Sequence, residues 1–420
     1  MLQKTLSYIL TVAACSGLAA SSIGICTNAM GVFYTPVSEE LGVGRGAFAL
    51  HATIAQLVSG FITPLVARLL PKYPLRPLLL CSVLLTCLST ALMAFAQNMP
   101  SFYILGFFRG IGMGFFSLMP VTAILNNWFH ARHGLAVGIA LSCSGLSGAV
   151  FNPVFSAIIA DVGWQTAYLL MALFVLLLAL PGVFLLRFTP AEKQLSPYGG
   201  TAATPSDSVP QSKTAIPWCT SLFLLCGFTI LHTSITGIAQ HLTGYADSIG
   251  LGLQTGAAMV SACMVGNIAT KLLIGILSDK IGPFRAAGLM ILTNAGALTA
   301  LALLPGTAAV PFLAAAFFYG SVYSVGAVGI PLITRRIFGP ARYASAYSVL
   351  TILTNVGSAS ALTVIGLLYD VSGSYRTALW GGLILDGVNL GLLTLLAIRK
   401  KYGKDLDHHE KCNCSARTGL

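Results

Sequence analysis

Lys271 stands inside an apolar run, four residues before Gly275-Ile-Leu-Ser-Asp279-Lys-Ile-Gly282-Pro-Phe-Arg285. A lone lysine in such a run costs about 2.5–3.5 kcal/mol on insertion scales, so its charge is expected to serve a purpose. The chemistry open to it is anion capture. A fixed ammonium facing a low-dielectric cavity holds a carboxylate far more firmly than a lysine in water does. It is a point donor without arginine's bidentate fork, so it discriminates geometry weakly. The competing reading is a structural one: Asp279 is only ~12 Å of helix away, and the side chain can snorkel to that membrane face.

Other polar residues also interrupt apolar runs. Arg109 lies in Gly106-Phe-Phe-Arg109-Gly110-Ile-Gly-Met-Gly114. The glycines at every fourth place predict one face packed closely on a neighbouring helix. Arg109 itself is open to two readings: neutralised by backbone carbonyls, or the outer partner of Lys271 on an anion path. Asp386 can pair with a basic group or titrate. His51 and His232 titrate near neutral pH and so are candidates to carry a proton, though a lone helical histidine is more often a packing residue. Tyr319 and Tyr323 are four apart and share a face, with hydroxyls that suit a carboxylate or an interhelical contact. No phosphate-cradling loop, catalytic triad or metal cluster is found, so neither an enzyme nor a cofactor is expected.

The elements that carry these residues are membrane spans. Of 420 residues, 56% are hydrophobic and 8% charged, against about 25% charged in soluble domains. Twelve runs approach the ~20 residues that cross a bilayer. They cover about 7–32, 47–70, 75–96, 101–126, 134–160, 163–186, 217–241, 252–277, 284–304, 308–333, 343–368 and 375–398. Residues 1–22 resemble a secretory signal, but the apolar pattern continues to Val32 and reads as the first span. Eight of the ten cysteines lie in or at the ends of spans, where cysteine behaves as a small apolar residue. Cys412 and Cys414, with His408 and His409, match no standard zinc spacing and read as a solvated tail.

The net charge of +11 is no nucleic-acid signal. The basic residues gather on alternate loops, with Arg68, Lys72 and Arg76 after span 2 and Arg335, Arg336 and Arg342 after span 10. The opposite loops carry Glu39, Glu40, Asp161, Asp247 and Asp370 against Arg45 and Arg376. This asymmetry predicts both termini in the cytoplasm. The Pro-, Ser-, Thr- and Gly-rich stretch between spans 6 and 7 reads as a flexible linker. The expected organisation is an N-terminal six-helix bundle over 1–189, a cytoplasmic linker over 190–216, a C-terminal six-helix bundle over 217–399, and a cytoplasmic tail over 400–420. Gly60-Phe-Ile-Thr-Pro-Leu-Val-Ala-Arg68 at the end of span 2 has a counterpart in Gly275–Gly282 at the end of span 8. This internal repeat supports two homologous bundles with a path between them.

With these residues the chain resembles the major facilitator superfamily, whose loop motif is Gly-x-x-x-Asp-x-x-Gly-Arg. The second copy matches at Gly275, Asp279 and Gly282, with Arg285 nearby. The first matches at Gly60 and Arg68, with Pro64 and Ala67 in place of aspartate and glycine. The resemblance implies an all-α membrane fold of twelve transmembrane helices in two pseudo-symmetric bundles. It also implies that these six residues lock the bundles on the cytoplasmic side. Asn127-Trp-Phe-His-Ala-Arg-His-Gly-Leu-Ala and Gly31-Val-Phe-Tyr-Thr-Pro resemble elements of the monocarboxylate transporter and oxalate:formate antiporter group. In that group a cation stands where Lys271 does. The same resemblance places Asn28, Tyr319 and Tyr323 on cavity-lining spans. It puts Asn267 where proton-coupled members carry an aspartate, and Asn355 where oxalate-type members carry a second cation.

The expectation is therefore an alternating-access transporter of a small organic monoanion, multi-pass in a plasma membrane (a bacterial inner membrane) and monomeric. Its drive would be protons or a counter-anion. Substrate contacts are expected from Lys271, Arg109, Asn28, Asn267, Tyr319, Tyr323, Asn355 and His232, and Lys271→Gln is expected to abolish uptake. The rival readings are a proton-driven exporter built around Arg109 and a non-transporting sensor of the same fold.

Overall fold

The computed structural model describes residues 2–70, 72–131, 133–199, 219–306 and 308–417. Most of the expected linker (200–216), Arg132, and the side chains of His133 and of the tail's Cys412, Cys414, His408 and His409 lie outside that description. Helix is nearly everywhere, because backbone in a bilayer must satisfy its own hydrogen bonds. Among the described residues the one strand-like pairing is an isolated bridge between Phe129 and Tyr198.

Among the described residues, eleven helices are long and apolar enough to cross a membrane. The longest, Ala136–Leu185, is two spans joined at Gly163, whose φ of +87° turns the chain back. That makes twelve: Lys4–Glu40, Arg45–Leu69, Leu75–Met93, Met99–Trp128, the pair 136–162 and 164–185, Thr220–Ser248, Leu253–Ile281, Pro283–Leu303, Ala309–Gly339, Ser345–Ser372 and Arg376–Lys400. An even number leaves the N-terminus, the inter-bundle segment and the last span's end on one face, called here the near end. The other is the far end.

Four spans are interrupted, and they are the first and fourth of each half. Span 1 widens to a π-helix over Ala20–Asn28, then tightens to a 3-10 turn over Met30–Phe33. Span 4 breaks between Gly114 and Leu118. Span 7 breaks between Ile235 and Ile238, and span 10 breaks at Gly320 and again through a π-helix over Val325–Gly329. Such breaks unpair backbone groups, so they persist only where side chains or a cavity receive them. In the N-terminal half Arg109 of span 4 reaches the Cys26 carbonyl of span 1. In the C-terminal half Tyr319 and Tyr323 of span 10 reach the Ile235 and Thr236 carbonyls of span 7. The repeat seen in the sequence thus extends to how the breaks are stabilised.

The glycine row of span 4 packs on span 2 as its spacing requires. A Cβ at Gly106 would lie 2.6 Å from the His51 carbonyl oxygen, and Gly110 and Gly114 meet Ala55 and Ile62 in turn. The first residues of the inter-bundle segment are folded onto the N-terminal half. Pro190–Lys193 forms a 3-10 turn with a Thr189–Glu192 capping box. Tyr8 then packs edge-on against Trp128, Phe129 and Tyr198. Lys193 sits over the Trp128 ring and donates to the Leu185 carbonyl. Partial burial, with Arg187 and Arg76 nearby, lowers its pKa from the usual lysine range.

Candidate substrate site

The interface between the halves is closed from the far end inward. Asp370, at the end of span 11, accepts from the backbone N–H groups of Arg45 (2.9 Å) and Gly46 (2.8 Å), the first residues of span 2. A carboxylate at a helix N-terminus meets both orphan donors and the helix dipole. The Arg45 guanidinium lies over the Tyr369 ring, donates to the Tyr375 hydroxyl at 3.1 Å, and pairs with Glu39 at 3.2 Å. Burial pushes the Tyr375 phenol up to about 12, with Arg45 pulling the other way, so it stays a neutral acceptor. Spans 1 and 7 cross where the Gly31 N–H donates to Gln240 Oε1 (3.0 Å). Deeper along spans 2 and 11, Thr53 donates to the Ala359 carbonyl at 2.8 Å and Gln56 to Ser358 at 2.8 Å. Packing continues to Gly60 against Asn355 and Gly145 against Ile268. Gly60 is ~22 Å of helix from the start of span 2.

A cavity lies within this interface, lined by Cys26, Thr27, Met30, Tyr34, Gln56 and Arg109 from the N-terminal half and by Leu362 from the other. Its volume is ≈ 20 Å³, room for about one water. Arg109 is only 1% exposed. Its Nη2 donates to the Cys26 carbonyl at 2.9 Å, its Nη1 faces Met30 Sδ at 3.1 Å, and its Nε has no partner. The Tyr34 hydroxyl is likewise buried without a partner. Among the described residues Arg45–Glu39 is the one ion pair, so the buried Arg109 has no counter-charge. An unpaired guanidinium and an unpaired hydroxyl on a shared cavity can together receive an anionic oxygen.

Lys271 is half-buried, one turn beyond Ile268 towards the near end, and makes no hydrogen bond or ion pair among the described residues. Asn267, one turn before it, is buried with Oδ1 unpartnered, where Gly320 brings span 10 against span 8.

The remaining expected contacts are placed elsewhere. Asn28 donates to the Ser144 carbonyl at 3.3 Å, between spans 1 and 5. His232 stacks on Phe228 and bonds the Val322 carbonyl at 2.9 Å. His51 bonds the Phe48 carbonyl, among Phe48 and Phe102. The Tyr319 hydroxyl is spent on Ile235 at 2.7 Å, and Tyr323 reaches Thr236 at 3.4 Å. Asn355 bonds its own helix at Thr351 and abuts Gly60. At the near end Gly282 makes the turn between spans 8 and 9 with φ +86°. The open space around Gly275 brings no helix close to it. Asp279, Arg285 and Arg68 are exposed and unpaired among the described residues, and no side chain caps span 9. Of the six residues of the loop motif, Gly60 packs against Asn355 of the other half, and Asp279, Arg285 and Arg68 form no ion pair among the described residues. Sequence reasoning missed Tyr34, Gln56 and the Arg45–Asp370 clamp. The signal for Tyr34 was present, within the Gly31–Pro36 segment.

A family model, Major Facilitator Superfamily, matches residues 12–326 and 218–411. The chain belongs to this superfamily. It is 24% identical over 385 residues to monocarboxylate transporter 13 of Rattus norvegicus, covering 88% of this chain and 84% of the relative. It is 26% identical over 326 residues to the oxalate:formate antiporter of Oxalobacter formigenes, covering 75% and 74%. Among solved structures a mutant form of the nucleoside transporter NupG superposes with a TM-score of 0.73 at 12% identity, covering 92% of this chain and 99% of that one. The chain is thus a multi-pass membrane transporter related to monocarboxylate transporters and an oxalate:formate antiporter.

Proposed function

We propose that the protein carries a small organic monoanion by alternating access, with Arg109 holding the carboxylate and Lys271 drawing it in from the near end. The observation that carries this reading is the buried, uncompensated Arg109 lining a cavity between the halves. A charge buried without a partner is costly, and a bound anion supplies that partner. The narrow cavity and the far-end clamp fit a carrier closed at one end. In this reading residues 1–189 and 217–399 rock against each other about the breaks in spans 1, 4, 7 and 10. The far-end clamp and the near-end loop motif then hold alternate ends shut. The basic loops favour a cytoplasmic near end in a plasma membrane. One cation on the cavity suits a single carboxylate better than a dianion.

The test is reconstituted uptake of a labelled monocarboxylate panel, with and without a pH gradient and with counter-substrate inside. Saturable exchange of at least one monocarboxylate is expected, with dicarboxylates poorer. Flux of apolar cations with no monocarboxylate movement in any mode would overturn the reading.

A further inference from the structure

Asn294 and Asp386 meet between spans 9 and 12, away from the Arg109 cavity, and Asn389 lies one turn along span 12 from Asp386. Asn294 of span 9 and Asp386 and Asn389 of span 12 are each 0% exposed. Asn294 Nδ2 donates to Asp386 Oδ2 at 2.6 Å. Four atoms are left over: Asp386 Oδ1, Asn294 Oδ1 and both polar atoms of the Asn389 amide have no partner. Buried polar groups are nearly always paired, so four orphans in one cluster call for a ligand. Three of the four are oxygens. No lysine, arginine or histidine pairs with Asp386 among the described residues. Tyr319 of span 10 is a titratable group within range of the Asp386 charge. Span 7 presents Ile235 and Ile238, and span 9 presents Leu298 and Asn294.

The geometry points to Asp386 as a proton-binding site of the transport cycle. The proton forms an O–H bond at Oδ1, turning the orphan acceptor into a donor for the amide oxygen of Asn389 or Asn294. The carboxylate's single negative charge is cancelled by the same step, and water on one side of the membrane supplies the proton and on the other accepts it. The cluster lies near the span 7 break. Gly382, one turn before Asp386, is so close to span 7 that a Cβ there would lie 3.0 Å from Ile238. Tyr319 of span 10 holds the Ile235 carbonyl at the span 7 break. Loading of Asp386 is thereby linked to the break about which the C-terminal half bends. Span 8 has no acid of its own within the apolar run, since position 267 is asparagine.

The transport arm of the test rests on the function proposed above, and a spectroscopic arm does not. Infrared difference spectra of the protein in lipid, taken across a pH titration, should show a buried protonated carboxyl band. The band should vanish in Asp386→Asn, shift in Asp386→Glu, and titrate at a different pH in Asn389→Leu. A titration with no Asp386-dependent band overturns the inference. In proteoliposomes a proton gradient should drive accumulation by the wild type. Asp386→Asn should lose that accumulation while keeping exchange of labelled for unlabelled substrate. Full accumulation by Asp386→Asn overturns the inference, and so does wild-type exchange that ignores the gradient, which leaves the proposed function standing. Absence of all exchange in the wild type sinks that function, and the infrared result then decides this one alone.

Discussion

Arg109 and Lys271 carry the same charge in the same fold, but their surroundings differ in kind. Arg109 is held by the Cys26 carbonyl and wedged among Met30, Met171 and Tyr34, on a span whose glycines press it against span 2. Its guanidinium cannot move far, and it keeps an unpartnered Nε beside the cavity. Lys271 is half-buried, carries its charge on a flexible stem, and makes no hydrogen bond or ion pair among the described residues. A rigid fork recognises a carboxylate by geometry, whereas a mobile point charge raises its local concentration. In the proposed function this contrast gives binding to the first and capture to the second.

The comparison breaks most readily at Arg109. Truncating one side of a buried charged contact costs about 2–5 kcal/mol, so Arg109→Gln should cut exchange by roughly 30- to 5000-fold. Arg109→Lys keeps the charge without the fork and should lose about tenfold. Initial exchange rates in proteoliposomes measure both, and wild-type rates in both variants would make Arg109 merely structural. Lys271→Gln comes next. It should raise KM about tenfold with a maximal rate within about twofold of wild type, and flatten the salt dependence of uptake. This is a smaller loss than the abolition expected from sequence alone, because Lys271 does not line the cavity between the halves. A collapse of the maximal rate would reverse the two roles.

The far-end clamp provides a third handle. Asp370→Asn removes the charge from two backbone contacts and should weaken closure by about 1–2 kcal/mol, a factor of roughly 5–30 in population. Faster amide hydrogen exchange over residues 45–60 would report it, and unchanged protection would mean that Asp370 does not hold the halves together. The smallest effect is expected at Tyr319→Phe, the span 10 counterpart of Arg109. Loss of one hydrogen bond to Ile235 should cost about 1 kcal/mol and lower Tm by ~2 °C, with exchange within about twofold. A large transport defect there would mean that both halves, and not the N-terminal one alone, bind substrate.

Much of the fold is legible in the chain itself. Twelve apolar runs, the loop motif repeated at Gly60 and Gly275, and the four-residue glycine row around Arg109 all follow from what a bilayer permits. The candidate site is legible only in part. Lys271 and Arg109 stand out because a charge in an apolar run is costly, whichever way it points. Asn28, His232 and Tyr319 do not announce their direction, and each proved to be bonded to a neighbouring span's backbone. Arg45 and Asp370 looked like ordinary loop charges because 325 residues separate them.

The sequence by itself determined the number of spans, their division six and six, and which buried charges demand explanation, since these depend on local hydrophobicity and the cost of burying charge. Tertiary structure alone decided which charges face the cavity, where the halves touch, and which hydroxyls are already spent. Those outcomes depend on the rotation of each helix about its axis and on contacts between distant spans, and helix rotation is set by packing against neighbours that no single span's sequence contains.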